Sequence, residues 1–151
     1  MDPNERETSD SVGTDGVDRI VRNVIDEPAV TRTVEDPTSG AVLSFAGVVR
    51  NSNLGRDVVG IDYHGYEPMA DREIRKIEHE ISEQWPGTRS VIVHRLGELD
   101  IGETSVFIAV SSAHRGEGFS ALRYAIDTLK ERLPIWKREM YADGSAWLEG
   151  S

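Results

Sequence analysis

TSVFIAVSSAHRGEGFSALRYAIDTLKERLP, residues 104–134, sets a strand directly before a helix, and that pairing decides the fold class. Thr104 to Val110 is dense in β-branched and apolar side chains, as a strand in a sheet interior requires. Phe119, Leu122, Ile126, Leu129 and Leu133 recur at spacings of three and four, which predicts a helix with that face packed on the sheet. Pro134 has no N–H and clashes with the preceding turn, so the helix ends there. Ser111 or Ser112 stands where a helix cap is wanted.

Upstream, Ala41 to Val49 (AVLSFAGVV) predicts a largely buried strand, Asn51 to Asp57 a loop, and Val58 to Tyr66 a second strand. Pro68 suits the first turn of a helix. Ala70, Ile74, Ile77, Ile81 and Trp85 then keep helical spacing until Pro86-Gly87 stops them. Ser90 to Arg95 is another strand, and the loop after it holds Gly97 and Gly102. The order is ββαββα with a short C-terminal extension, which predicts one α+β domain with a mixed or antiparallel sheet over residues 40–151. Residues 1–16 are acidic and poor in large apolar groups, so a disordered leader is expected. Residues 17–39 read as a linker opened by a short amphipathic helix over Val17 to Ile25, which Pro28 closes.

With 151 residues, 38% hydrophobic, the chain can bury one real core. No apolar run approaches the roughly 18 residues of a membrane span, and the N-terminus shows no secretory signal, so a cytoplasmic protein is expected. It contains no cysteine, which excludes disulfides, thiolate metal sites and a reactive protein thiol. The net charge of -10 argues against nucleic-acid and anionic-membrane binding. Lysine occurs only at positions 76, 130 and 137; high-salt solubility and codon bias with an acidic tail both fit this composition. His64, His79 and His94 lack metal-ligand spacing, so no metal is expected.

Several of the basic residues sit at element ends. Arg50 closes the first strand, His114 and Arg115 stand where a strand meets the last helix, and Lys130 and Lys137 flank the Pro134 break. Free N–H groups and the helix dipole favour an anion at such a junction. Five potential cations so placed in an acidic chain suggest a pocket for a negatively charged ligand; solvated surface cations offsetting nearby carboxylates are the plainer alternative.

Five stretches carry a resemblance: GAVLSFAGVVRNSNLG (40–55), YEPMA (66–70), HRLGELDIGE (94–103), SSAHRGEGFSA (111–121) and LKERLPIWKRE (129–139), with DGSAW (143–147) behind them. In this order and at these separations the chain resembles the catalytic (large) subunit family of molybdopterin synthases, while residues 1–39 show no clear family signal. The resemblance implies a hammerhead-type α+β fold and a homodimer that binds a small ubiquitin-like partner at each end, as a heterotetramer. It implies sulfur transfer from the thiocarboxylate on that carrier's Gly-Gly C-terminus to cyclic pyranopterin monophosphate, forming the dithiolene of molybdopterin without a cofactor. Its pocket residues fall on Val48, Val49, Arg50, His114, Arg115, Lys130, Lys137, Arg138 and Glu139.

Within that set, Arg50, His114 and Arg115 suit a phosphate through charge-assisted hydrogen bonds. Lys130 is expected to be the main catalytic residue, as acid–base group or acyl acceptor, with Lys137 as its electrostatic partner. A docking module for a ubiquitin-like protein that lacks catalysis is the alternative, and the intact cationic set speaks against it. A phosphate-binding enzyme of another class would need a Walker-type or metal motif that the chain lacks.

Overall fold

The computed structural model describes residues 13–150. Residues 1–12, most of the expected leader, lie outside them; Gly13 to Gly16 form a turn whose Thr14 carbonyl accepts a hydrogen bond from Arg19. The described elements are β1 (Ile20–Val21), α1 (Glu27–Arg32), β2 (Ala41–Val48), β3 (Ser52–Asn53), β4 (Arg56–Gly65), α2 (Glu67–Gln84), β5 (Arg89–Arg95), β6 (Gly97–Leu99), β7 (Thr104–Ser112), α3 (Arg115–Arg132), β8 (Ile135–Tyr141) and β9 (Ala146–Gly150). One sheet runs β1-β5-β7-β2, with β1 parallel to β5 and the other pairs antiparallel. A second, antiparallel sheet runs β3-β4-β8-β9, with β6 also on β4. The α+β expectation holds, in a mixed and an antiparallel sheet.

Helix α2 follows its periodicity: Pro68 lies in its first turn, and Ala70, Ile74, Ile77 and Ile81 are wholly buried. With Ile92, Ile108 and Leu129 they build the core between the first sheet and helices α2 and α3. Helix α3 is rotated from the expected face. Its buried residues are Gly118, Ala121, Ala125 and Leu129; Leu122 and Ile126 are only partly buried, and Phe119 is exposed. Small residues win because the helix lies close to β2 and β7: a Cβ on Gly118 would meet Leu43 Cδ1 at 2.5 Å and Ser112 Oγ at 2.8 Å. Neither Ser111 nor Ser112 caps α3, since β7 continues through both and their hydroxyls donate to the Val34 and His114 carbonyls.

Residues 17–39 are part of the domain and not a linker. Ile20 and Val21 pair with His94 and Arg95, so no helix forms over Val17 to Ile25. The short helix comes later and Pro28 opens it: Asp26 accepts from the Ala29 N–H at 3.1 Å, and proline in the first turn loses no helical bond. Ile25, Val30 and Val34 then cover Val91, Val93, Phe107 and Ala109 on the far face of the first sheet.

Three other expectations change. Residues 51–57 form a hairpin, with positive φ at Leu54 (51°) and Gly55 (79°) as a tight primed turn requires. Strand β2 lies at a sheet edge, with exposed and half-buried residues alternating along it. The C-terminal extension is the strand pair β8-β9, and β8 pairs with β4 from Val58 to Gly65. No helix among the described residues is long and apolar enough to cross a membrane.

Candidate active site

Helix α3 ends at Arg132, Leu133 is extended, and after Pro134 the chain returns as β8. This reversal brings Lys130, from the last turn of α3, and Lys137, from β8, to one cavity. Arg50 and Val48 enter from the end of β2, Asn53 from the hairpin, Tyr63 from β4 and Ser105 from β7. A bulge between Gly47 and Val48 shifts the register of β2 against β7 at this rim.

The cavity's polar groups are ordered. Glu139, only 3% exposed, sits two residues beyond Lys137 on the same face of β8. Its Oε1 lies 3.3 Å from Lys137 Nζ, and its Oε2 accepts from Asn53 Nδ2 at 2.7 Å and Tyr141 OH at 2.9 Å. Glu149, opposite Lys137 on β9, places a second carboxylate 3.3 Å from the same ammonium.

The two lysines are tuned in opposite directions. Burial opposes the charge of Lys137, but Tyr63, Glu149 and Glu139 outweigh it and raise its proton affinity. Burial also opposes charge on Lys130; the Lys137 ammonium adds to this, Glu149 only partly offsets it, and proton affinity falls. Burial alone would raise Glu139, but hydrogen bonds from Asn53 and Tyr141, together with Lys137, hold it below the usual carboxylate range. Among the described residues neither Arg50 nor Lys130 pairs with a carboxylate, whereas Arg19, Arg56, Arg95 and Arg132 do.

Not every expected residue reaches this cavity. The Val49 side chain is buried in the core while its backbone bonds to Glu103 and Gly102. Arg138 alternates onto the outer face of β8, opposite Asp62. His114 and Arg115 line a separate depression with Gly40 and Ala41, at the far end of β2. Seven steps along that strand, at about 3.3 Å each, separate the two ends by roughly 20 Å. Sequence reasoning missed Asn53 and Tyr141, which meet on the Glu139 carboxylate, and Tyr63, which lines the cavity: no local pattern says that these elements will converge.

His94 is buried beneath the site, edge-on to Tyr63 with ring centroids 5.1 Å apart. Its Nδ1 lies 2.8 Å from the Arg95 carbonyl, which assigns that nitrogen the proton. Burial pushes the imidazole down to about 4; the Arg95 carbonyl opposes this and the Lys130 charge adds to it. An unfolded histidine titrates near about 6.5, so neutral His94 contributes stability that is complete above that pH. The contribution is lost as pH falls from about 6.5 towards 4, up to about 3 kcal/mol. Urea melts at neutral and acid pH should show this loss, and His94→Asn should flatten it; an equal acid slope in both proteins would refute the assignment. No cluster of three or more potential metal ligands occurs among the described residues.

The sequence profile described as MoaE protein matches residues 20–132. The chain belongs to the MoaE family. The match starts at Ile20, so the family signal reaches into residues 17–39, where the motifs alone had shown none. The molybdopterin synthase catalytic subunit of Bacillus subtilis (strain 168) is 42% identical over 129 residues, 85% of this chain and 82% of that one. The human molybdopterin synthase catalytic subunit is 45% identical over 118 residues, 78% of this chain and 63% of the human one. The chain thus spans less than two thirds of the human protein's length. Among solved structures, molybdopterin synthase from Staphylococcus aureus superposes with a TM-score of 0.84 at 39% identity, covering 88% of this chain and 96% of that one. A complex of subunits 1 and 2 of the molybdopterin-converting factor from Helicobacter pylori shares the fold, with a TM-score of 0.69 at 21% identity. The two-sheet α+β architecture is therefore that of MoaE proteins.

Proposed function

We propose that this chain is the catalytic subunit of a molybdopterin synthase. It transfers sulfur from the C-terminal thiocarboxylate of a small ubiquitin-like carrier to cyclic pyranopterin monophosphate. One observation carries the reading: two lysines whose proton affinities shift in opposite directions share a cavity with Arg50, which pairs with no carboxylate among the described residues. Lys137, kept charged, suits an anionic thiocarboxylate or developing negative charge. Lys130, with its proton loosened, suits proton transfer as each sulfur adds, or attack on the acyl carbon. Glu139 acts on Lys137 more directly than on substrate, since its oxygens are already engaged.

His114 and Arg115 fit the same reaction in a homodimer. A single pterin cannot span the roughly 20 Å between the two ends of β2. Antiparallel pairing of two free β2 edges would set the Ala41 end of one strand beside the Val48 end of the other. His114 and Arg115 of a second copy would then complete the anion site next to Arg50 and the lysines. A carrier at each cavity makes the heterotetramer.

Incubation with cyclic pyranopterin monophosphate and thiocarboxylated carrier, scored for dithiolene, tests the activity directly; intact docking without product would favour the non-catalytic module. Arg50→Ala and Arg115→Ala should each weaken pterin binding by roughly 1.5–3 kcal/mol, the range for a hydrogen bond to a charged group. At limiting pterin, co-expressed Arg115→Ala and Lys130→Ala chains should be more active than either variant alone, because one hybrid site is intact. Mixed dimers no more active than their parents would refute the shared site.

A further inference from the structure

The Lys137 counter-ion is itself held from two sides. We propose that Asn53 and Tyr141 are positioning residues for the lysine pair, clamping the Glu139 carboxylate so that one oxygen always faces Lys137. This inference rests on the function proposed above and adds to it residues that do not touch substrate.

The geometry divides the carboxylate in two. Asn53 Nδ2, at 2.7 Å, and Tyr141 OH, at 2.9 Å, both donate to Oε2. Oε1 is left to Lys137 Nζ at 3.3 Å. With both donors on one oxygen, rotation of the carboxylate breaks two hydrogen bonds inside a buried site, where an unmade bond is costly. Each donor is also fixed in turn. Asn53 sits directly before the Leu54-Gly55 turn, whose two positive φ angles hold the short hairpin. The Tyr141 ring is covered by the Arg56 guanidinium at 3.9 Å, and Arg56 is anchored to Asp143 at 2.9 Å. The clamp thus joins the hairpin and the far end of β8 to the lysine between them.

The groups facing the lysines come from every element around the cavity. Tyr63 comes from β4, neutral His94 from β5, Glu139 from β8, Glu149 from β9 and Arg50 from the end of β2. With Glu139 clamped, Lys137 stays charged, and its charge weakens the hold of Lys130 on its proton. Released, Glu139 either leaves Lys137 less charged or swings towards Lys130. Both outcomes move Lys130 in the same direction, towards holding its proton at higher pH.

Competitive acetylation of the full-length protein reads this without requiring turnover. Lys130 and the exposed reference Lys76 are labelled with acetic anhydride across a pH series and quantified by mass spectrometry. In Tyr141→Phe, which removes only a hydroxyl, and in Asn53→Ala, the Lys130 labelling midpoint should rise, by about half a pH unit or more in the double variant. Lys76 should not move, and the acid limb of dithiolene formation should shift up with Lys130 while the KM for carrier stays unchanged. An unmoved Lys130 midpoint in the folded double variant overturns the clamp, whatever the activity. A wild-type protein that makes no dithiolene overturns the proposed function, and the labelling shift still decides the clamp separately.

Discussion

Lys130→Ala should lower the rate of dithiolene formation by about 100-fold or more, the scale on which a positioned acid–base group contributes. Burial and the neighbouring Lys137 charge both weaken the hold of Lys130 on its proton, so its amine is available nearer neutral pH than an ordinary lysine. Docking of the proposed carrier should survive, because protein–protein interfaces of ordinary size spread over many side chains. Lys130→Arg is the sharper variant. It preserves the cation, but a guanidinium does not release its proton and cannot form the acyl adduct open to an amine. Single-turnover assays with thiocarboxylated carrier, beside calorimetry of carrier binding, separate chemistry from docking. Near-normal turnover in Lys130→Arg would mean that charge alone suffices, and the acid–base and acyl-acceptor roles would fall. Lys137→Ala should be slower but not dead.

Arg19→Met should destabilise the protein by about 3–5 kcal/mol, the cost of stranding a buried charge. Arg19 has a side chain 1% exposed and meets Glu78, 10% exposed, at 2.7 Å, tying the segment before β1 to the middle of α2. Glu78 also accepts from the Ile92 N–H at 2.9 Å, so it cannot turn out to water without breaking a contact to β5. Burial already raises the Glu78 carboxyl above its usual range, against the pull of Arg19. Without the arginine that shift grows, so the variant should regain stability as pH falls and Glu78 takes up a proton. Adding Glu78→Gln should restore much of the loss, because no charge is then left buried. Urea unfolding across the double-mutant cycle measures this; a single-variant loss under about 1 kcal/mol would show that the pair is solvated.

Much of the fold was legible where a local rule applied. In α2 an apolar residue at every helical turn, Pro68 at the start and Pro86-Gly87 at the end agree with one another, and the helix lies where they put it. Pro28 shows how such a signal misleads when its direction is misjudged. Proline suits a first turn as well as it stops a last one, and only the Asp26 cap and the pairing of Ile20 with His94 decide between them. For the candidate site, Arg50, Lys130 and Lys137 were visible as cations at element ends and do share one cavity.

By itself the sequence determined the α+β class, the extent of α2 and the break at Pro134, because periodicity and turn chemistry act within a few residues along the chain. Tertiary structure alone decided which face of α3 is buried: close approach to β2 and β7 selects Gly118, Ala121 and Ala125 over the bulkier Phe119. It also decided that residues 135–141 are a strand, since β8 takes its place from β4, seventy or more residues earlier. Strand alternation turns Arg138 away from Lys137 and Glu139, and the length of β2 parts Arg115 from Arg50. Each of these depends on which distant backbone supplies hydrogen bonds and packing surface, and spacing along the chain does not encode that choice.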